Sequence, residues 1–453
     1  MKASVRVLSL IVLFSFALGI SASPIFRSAA AAGPAVYAKR RAALMEKIGN
    51  DLMVIQGAEE YSTLVQFRQD NNFYYLTGID DTADAILVLD GKTKRSLLFL
   101  PPFDANYEKW FGHRLNPGKE ATERTGITES FSNKDFDTKI TEMIGNGRSV
   151  YISKSPAELG ESERGVAAGV EKTELNTPWD KRISRVQAFS NYFESKKATI
   201  KDVDPILDEM RRLKGQEEIE LMRESSAIGS QGHIEVIKAI HAGMYEYEIA
   251  ALAEYVFKRS GAIGPSYFPI AGSGPNSCAL HYSSNNRKMK DGDIVVFDFA
   301  PDYGYYASDI TRTFPVSGKF TDEQRKVYEV VLAAQKAGIA AVKPGATMAD
   351  VTKAARDIIN AAGYGKYWAH GIGHYVGMGV HDVGSYDKPF EPGVVLTVEP
   401  GIYIPEKELG VRIEDVVLVT KDGREVLSNA PKEIDEIEKL MTAAKLKNFV
   451  SRP

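Results

Sequence analysis

Apolar positions fall into short runs in the first part of the chain and into longer helical stripes after it. Tyr37 to Ile48 reads as a basic helical start carrying Lys39, Arg40 and Arg41. Leu52–Gln56, Phe73–Thr77, Ala85–Leu89 and Ser96–Leu100 are short runs rich in branched and aromatic residues, and each predicts a strand. Turn residues such as Gly78 and the Asp90-Gly91 pair separate them. Strands and helical stretches alternate to about residue 200, which predicts an α/β domain. Residues 203–222 set Ile206, Leu207, Met210 and Leu213, then Ile219, Leu221 and Met222, on a charged background. The domain junction is placed near 200–214. Helices are predicted over Ser226–Ile240 and Tyr245–Ser260. From 265 onward the pattern is mostly strand-like, with two more helices over Asp322–Ala341 and Met348–Ala362, the mark of an α+β second domain. No short-period repeat or low-complexity linker interrupts it.

The chain's 453 residues suit two domains. Its 44% hydrophobic and 26% charged residues describe a globular protein. A net charge of −4 supplies no basic field, so nucleic acid is not an expected partner. The single cysteine, Cys278, excludes an internal disulfide and reads as a small apolar residue. At the N-terminus, Lys2 and Arg6 precede the apolar run Val7–Ile20, followed by Ser21, Ala22 and Ser23 and by Ala29–Ala32. This order predicts a secretory signal peptide, with an uncleaved anchor as the alternative. The run falls short of the ~20 residues that span a bilayer. The expected product is secreted or periplasmic, with no stable membrane span after cleavage.

Four carboxylates stand where strands should be apolar. Asp298 interrupts D-I-V-V-F-D-F-A, Asp309 lies in S-D-I-T-R-T-F, Glu399 in V-V-L-T-V-E-P-G-I-Y-I and Glu414 in V-R-I-E-D-V-V-L-V. A buried, ionised carboxylate costs several kcal/mol unless something pairs with it. Arg312 or Arg412 serves for one of them but not for four. A bound metal pair resolves the whole surplus. Of the seven histidines, His281, His370, His374 and His381 fall in the same half, three of them in H-G-I-G-H-Y-V-G-M-G-V-H-D. The glycines there disfavour the helix of a zincin motif. Two Asp, two Glu and one His make an oxygen-rich set that suits a hard divalent ion, Mn²⁺ first, with Co²⁺ or Zn²⁺ as alternatives. Two such ions hold a bridging water, lower its pKa and polarise a carbonyl, which points to hydrolysis without a protein nucleophile.

In that order the five residues resemble the ligands of the pita-bread metallopeptidases. G-S-G-P-N-S-C-A-L-H-Y (272–282), D-I-T-R-T-F-P-V-S-G-K-F (309–320), V-H-D-V-G (380–384) and V-L-T-V-E-P-G-I-Y-I (395–404) look like the aminopeptidase P and prolidase branch. F-R-Q-D-N-N-F-Y-Y-L-T-G (67–78) and W-F-G-H-R (110–114) are similar to the aminopeptidase P form of the first domain. The resemblance implies an α/β N-terminal domain over 35–203, after a signal and short leading segment over 1–32. An α+β pita-bread (creatinase/aminopeptidase-like) catalytic domain over 204–445 follows. It further implies that Asp309 and Glu414 bridge two metal ions, that Asp298 completes one, and that His374 and Glu399 complete the other. Glu399 is then the general base, His281 and His381 steady the tetrahedral intermediate, and His370 positions substrate. Arg412 partners a ligand carboxylate, and Tyr403 stands behind the ligands. Trp110 faces a neighbouring subunit's site or, on the plainer reading, sits in a core or interface. The implied activity releases an N-terminal residue from peptides with proline second, by a homo-oligomer. A prolidase cutting Xaa-Pro dipeptides and a metal-free binding protein of the same fold are the competing readings. The chain shows no clear acidic anchor for the substrate amine in its first domain, and its Gly363–His370 connection is short.

Overall fold

The computed structural model describes residues 33–60, 66–145, 147–157, 179 and 183–450, with side chains to 443. The expected signal segment lies outside these residues. Strands of the first half form one six-stranded mixed sheet, in the order Glu129–Ser132, Arg95–Leu100, Ile86–Asp90, Leu52–Gln56, Val150–Ile152, Ile200–Asp202. Its central strands read as apolar runs because both faces are covered. Met53, Ile55, Leu87, Leu89, Leu98 and Leu100 point into one core, shared with Leu44 and Ile48 of the Pro34–Ile48 helix. Leu52, Val54, Val88, Leu97 and Phe99 alternate onto the opposite face, against Phe136, Ile140, Ile144 and Phe193. The two-residue period of a strand separates these sets, and burial on both sides removes the polar positions that would otherwise mark it.

One predicted strand is a helix. Asn71–Thr77 winds into two turns in which every residue is buried. Asp70 caps it by accepting from the Phe73 N–H at 2.8 Å, and Gly78 ends it in the left-handed region at φ 71°. The caps and the tertiary burial override the strand preference of Phe, Tyr and Thr. Trp110 is not in the core. It is 71% exposed in the chain, on the Ala105–Phe111 helix, which buries no residue.

The amphipathic stretch after the sheet splits into helices Asp204–Arg212 and Gln216–Ala239, so the second begins ten residues before the predicted Ser226. The Glu218 carboxylate, accepting from the Gly215 N–H at 2.8 Å, starts it there. Helices Glu246–Arg259, Asp322–Ala341 and Met348–Ala361 follow close to their predicted places. A C-terminal helix, Ile434–Val450, was not predicted, and it buries Ile434, Ile437 and Met441 in the second core. Between the helices lie small antiparallel sheets: Ile270–Ser273, Ile294–Asp298 and Thr311–Pro315 in one; Val395–Val398, Asp415–Thr420 and Gly423–Val426 in another; Gly401–Ile404 with Leu409–Arg412 in a third.

The two halves share a core. Phe73, Tyr74 and Leu87 cluster with Tyr305, Tyr306, Val376 and Val380. Tyr74 and Tyr305 stack with ring centroids 3.8 Å apart, and Arg68 pairs with Asp302 at 3.0 Å. Among the described residues no helix is long and apolar enough to cross a membrane.

Candidate active site

The four orphan carboxylates sit at strand ends. Asp298 is the last residue of Ile294–Asp298, whose Val295, Val296 and Phe297 are buried and hold the strand in place. Asp309 precedes Thr311–Pro315, Glu399 follows Val395–Val398, and Glu414 lies between Leu409–Arg412 and Asp415–Thr420. At a strand end the backbone is released from the ladder, so a polar side chain turns into a cavity while its neighbours stay in the core. Antiparallel register sets Thr311 opposite Asp298. Backbone bonds from Thr397 N–H to the His374 carbonyl and from Glu399 N–H to the Ile372 carbonyl, both 2.8 Å, draw the histidine loop alongside Glu399.

All nine residues singled out in the sequence line one cavity of about 500 Å³: His281, Asp298, Asp309, His370, His374, His381, Glu399, Arg412 and Glu414. Ligand atoms of Asp309, His374 and Glu414 lie within 4.8 Å of one another. His374 Nε2 is 3.2 Å from Asp309 Oδ2 and 3.6 Å from Glu399 Oε1. Its Nδ1 lies 3.1 Å from the Tyr375 carbonyl, which can only accept, so Nδ1 carries a proton and Nε2 is the atom turned to the carboxylates. A backbone carbonyl holding Nδ1–H in this way leaves Nε2 as the nitrogen available to a metal ion.

Charge in the cavity is one-sided. Arg412 reaches Asp298 Oδ2 at 2.7 Å, and among the described residues no lysine or arginine is ion-paired with Asp309, Glu399 or Glu414. Arg312 instead pairs with Asp415 at 2.7 Å, both fully buried. Burial first, then repulsion from neighbouring carboxylates, pushes Glu399 up to about 7. Burial and the same repulsion raise Asp298, against the pull of Arg412, and raise Glu414. Burial lowers the His374 pKa, but Asp309 and Glu399 outweigh it and hold it above the ordinary histidine value. A donor set this short of positive charge fits divalent cations: each ion offsets repulsion that the protein leaves uncompensated.

Three supporting side chains escaped the sequence reading. Tyr267 Oη lies 2.6 Å from Asp298 Oδ1 and 2.7 Å from Asp309 Oδ1. Thr311 Oγ1 donates to Glu414 Oε2 at 2.7 Å and accepts from Arg412 Nε at 3.1 Å. Thr397 Oγ1 accepts from the His374 N–H at 3.0 Å and reaches Glu399 Oε1 at 3.3 Å. A threonine beside a strand carboxylate was a faint signal, whereas Tyr267 is far from both of its partners in sequence. Tyr403 accepts from Arg412 Nη1 at 2.9 Å and contacts His370 Nε2 at 2.8 Å. Burial, with Arg412 adding to it for His370, lowers His370 and His381 to about 4, so both are neutral near pH 7. Burial raises the thiol pKa of Cys278, which does not line the cavity.

Comparison with known proteins agrees with this geometry. Residues 220–421 match the profile of metallopeptidase family M24, and residues 37–151 match the aminopeptidase P N-terminal domain. The Xaa-Pro aminopeptidase of Haemophilus influenzae is 37% identical, covering 83% of this chain and 88% of that protein. The Xaa-Pro dipeptidase of Pongo abelii is 32% identical, covering 90% and 93%. The structure of aminopeptidase P from E. coli with the inhibitor Pro-Leu superposes with a TM-score of 0.81 at 30% identity, covering 92% of this chain and 99% of that one. The chain belongs to the pita-bread metallopeptidases of family M24, in the aminopeptidase P group.

Proposed function

We propose that the chain is a Xaa-Pro aminopeptidase, a metal-dependent hydrolase that releases the N-terminal residue from peptides with proline second. The observation that carries this reading is the gathering of four under-compensated carboxylates and His374 in one cavity, with His374 Nε2 3.2 Å from Asp309. Asp298, Asp309, His374, Glu399 and Glu414 would hold the divalent ions, with Asp309 and Glu414 serving both. The oxygen-rich set favours Mn²⁺ over Co²⁺ or Zn²⁺. Bound ions supply a water-derived nucleophile near neutral pH and polarise the scissile carbonyl.

Glu399, a largely buried carboxylate on the cavity wall, is the group placed to shuttle a proton. It takes a proton from the attacking water and returns it to the proline nitrogen as that nitrogen leaves. Neutral His381 donates an N–H to the oxygen on which charge develops, with His281 on the wall of the same cavity. His370 walls the substrate and Arg412 holds Asp298. A bond to proline is a tertiary amide without an N–H, so the site must grip ring and carbonyl instead. The division into domains over 35–203 and 204–445 belongs to the same reading, since the first sheet ends at Asp202 and the next helix begins at Asp204. Export through residues 1–32 rests on their basic and apolar order. Homo-oligomerisation draws support from the exposed Phe103, Trp110 and Phe111.

The relatives named as dipeptidases favour a second reading, an enzyme restricted to Xaa-Pro. Purified protein loaded with Mn²⁺ and given matched Xaa-Pro and Xaa-Pro-Yaa peptides separates the two. Turnover of the tripeptide, with two ions per chain, is expected. Turnover of the dipeptide alone moves the protein to the second reading, and no bound metal with no turnover rejects both.

A further inference from the structure

At Asp382, the residue after His381, the chain buries a charge cluster. Asp382 meets Arg211 Nη2 at 2.6 Å and Lys214 Nζ at 3.1 Å, and all three side chains are 1% exposed. None of them lines the cavity. Arg211 and Lys214 stand where the Asp204–Arg212 helix gives way to Gln216–Ala239, at the joint between the two halves. Arg211 Nη1 also donates to Asn72 Oδ1 at 2.7 Å, and Asn72 sits on the capped Asn71–Thr77 helix of the first half.

The loop this cluster holds is closed on itself. The Asp382 N–H donates to the Tyr375 carbonyl at 2.9 Å, and the rings of His374 and His381 meet with centroids 3.8 Å apart. A Cβ on Gly377 would lie 1.9 Å from Asp382 Oδ2, so the backbone passes too close for any side chain. Arg68, from the first half, reaches the Met378 carbonyl at 3.4 Å. A buried ion pair is a poor source of net stability, but it tolerates little displacement, because any gap leaves a charge unpaired in the interior.

We infer that Arg211, Lys214 and Asn72 are positioning residues that hold the His381 imidazole through Asp382, so that the seating of the first half on the second sets the geometry of the active site. A displacement of about 1 Å in such a group costs on the order of 10²-fold in rate. The activity readout of this inference rests on the aminopeptidase reading, whereas the position of His381 does not.

Asn72→Ala removes a neutral acceptor and leaves the buried charges paired, so the protein remains folded. The test compares it with wild type and Asn72→Asp as full-length, histidine-labelled proteins, with the His381 ring signal assigned from His381→Gln. In Asn72→Ala the His381 signal shifts while that of the distant His113 does not. Its kcat falls about tenfold with KM within about twofold, as expected for partial misplacement, and Mn²⁺ affinity is unchanged. Asn72→Asp restores both signal and kcat. A wild-type His381 signal in Asn72→Ala overturns the inference, whatever happens to activity. A shifted signal in a protein that never cleaves proline peptides sustains the positioning role and rejects the aminopeptidase reading instead.

Discussion

Replacing Tyr267 by Phe deletes one oxygen from a buried position on the cavity wall and leaves the ring's packing against Phe299 intact. The phenol has one proton and faces two carboxylate oxygens at 2.6 and 2.7 Å. It donates to Asp298 or to Asp309 at any instant, so the variant loses one charge-assisted hydrogen bond. Such bonds contribute about 1.5–3 kcal/mol, or roughly 10- to 150-fold in an equilibrium constant. The loss falls on the orientation of the two aspartates, and supporting partners of metal ligands typically govern affinity by about 10- to 100-fold. Calorimetric titration of metal-stripped Tyr267→Phe with Mn²⁺ is therefore expected to show at least one site weakened by roughly tenfold or more. The thermal midpoint of the stripped protein, read in parallel, separates site disorder from general unfolding. Wild-type Mn²⁺ affinity at both sites would refute the reasoning, because the phenol would then be packing alone.

Asp309→Asn and Glu414→Gln should each abolish peptide turnover while far-UV circular dichroism stays native, and near-normal rates in both would reject their bridging roles. In the metal-free protein, the Glu399 pKa is raised from 4.5 to about 7, so its contribution to stability is present below pH 4.5 and is lost as pH rises through 7. The melting temperature of stripped wild type should accordingly fall over that window relative to Glu399→Gln, and parallel curves would contradict it. Arg312→Leu strands Asp415 in the core and should destabilise the protein by about 3–5 kcal/mol in urea unfolding. Adding Asp415→Leu should recover much of that loss, and an unaffected single variant would show that Lys432 and Gln335 suffice for Asp415.

The candidate ligands were legible because they break a rule. A carboxylate inside an apolar strand pattern is costly wherever the strand is buried, and four such breaks in one half of the chain left a shared cation as the economical resolution. The central strands were legible from their apolar runs, but which residues faced which core was not, because both faces are covered. The helix at Asn71–Thr77 was misread since Phe, Tyr and Thr favour strands when nothing else acts. The decisive signals were its Asp70 and Gly78 caps.

By itself, the sequence determined most of the alternation of elements and the identity of the charged groups that need a partner, since each depends on local pattern or on the cost of burying one residue type. Only the tertiary structure decided which partner each group takes. Arg312 was as plausible as Arg412 for a site carboxylate, yet the fold gives it to Asp415. Arg211 and Asp382 are separated by 171 positions and meet at 2.6 Å, and Tyr267 is an ordinary core tyrosine until two aspartates close on it. Hydrogen bonds and ion pairs act over a few ångströms in space, and no spacing along the chain records that distance.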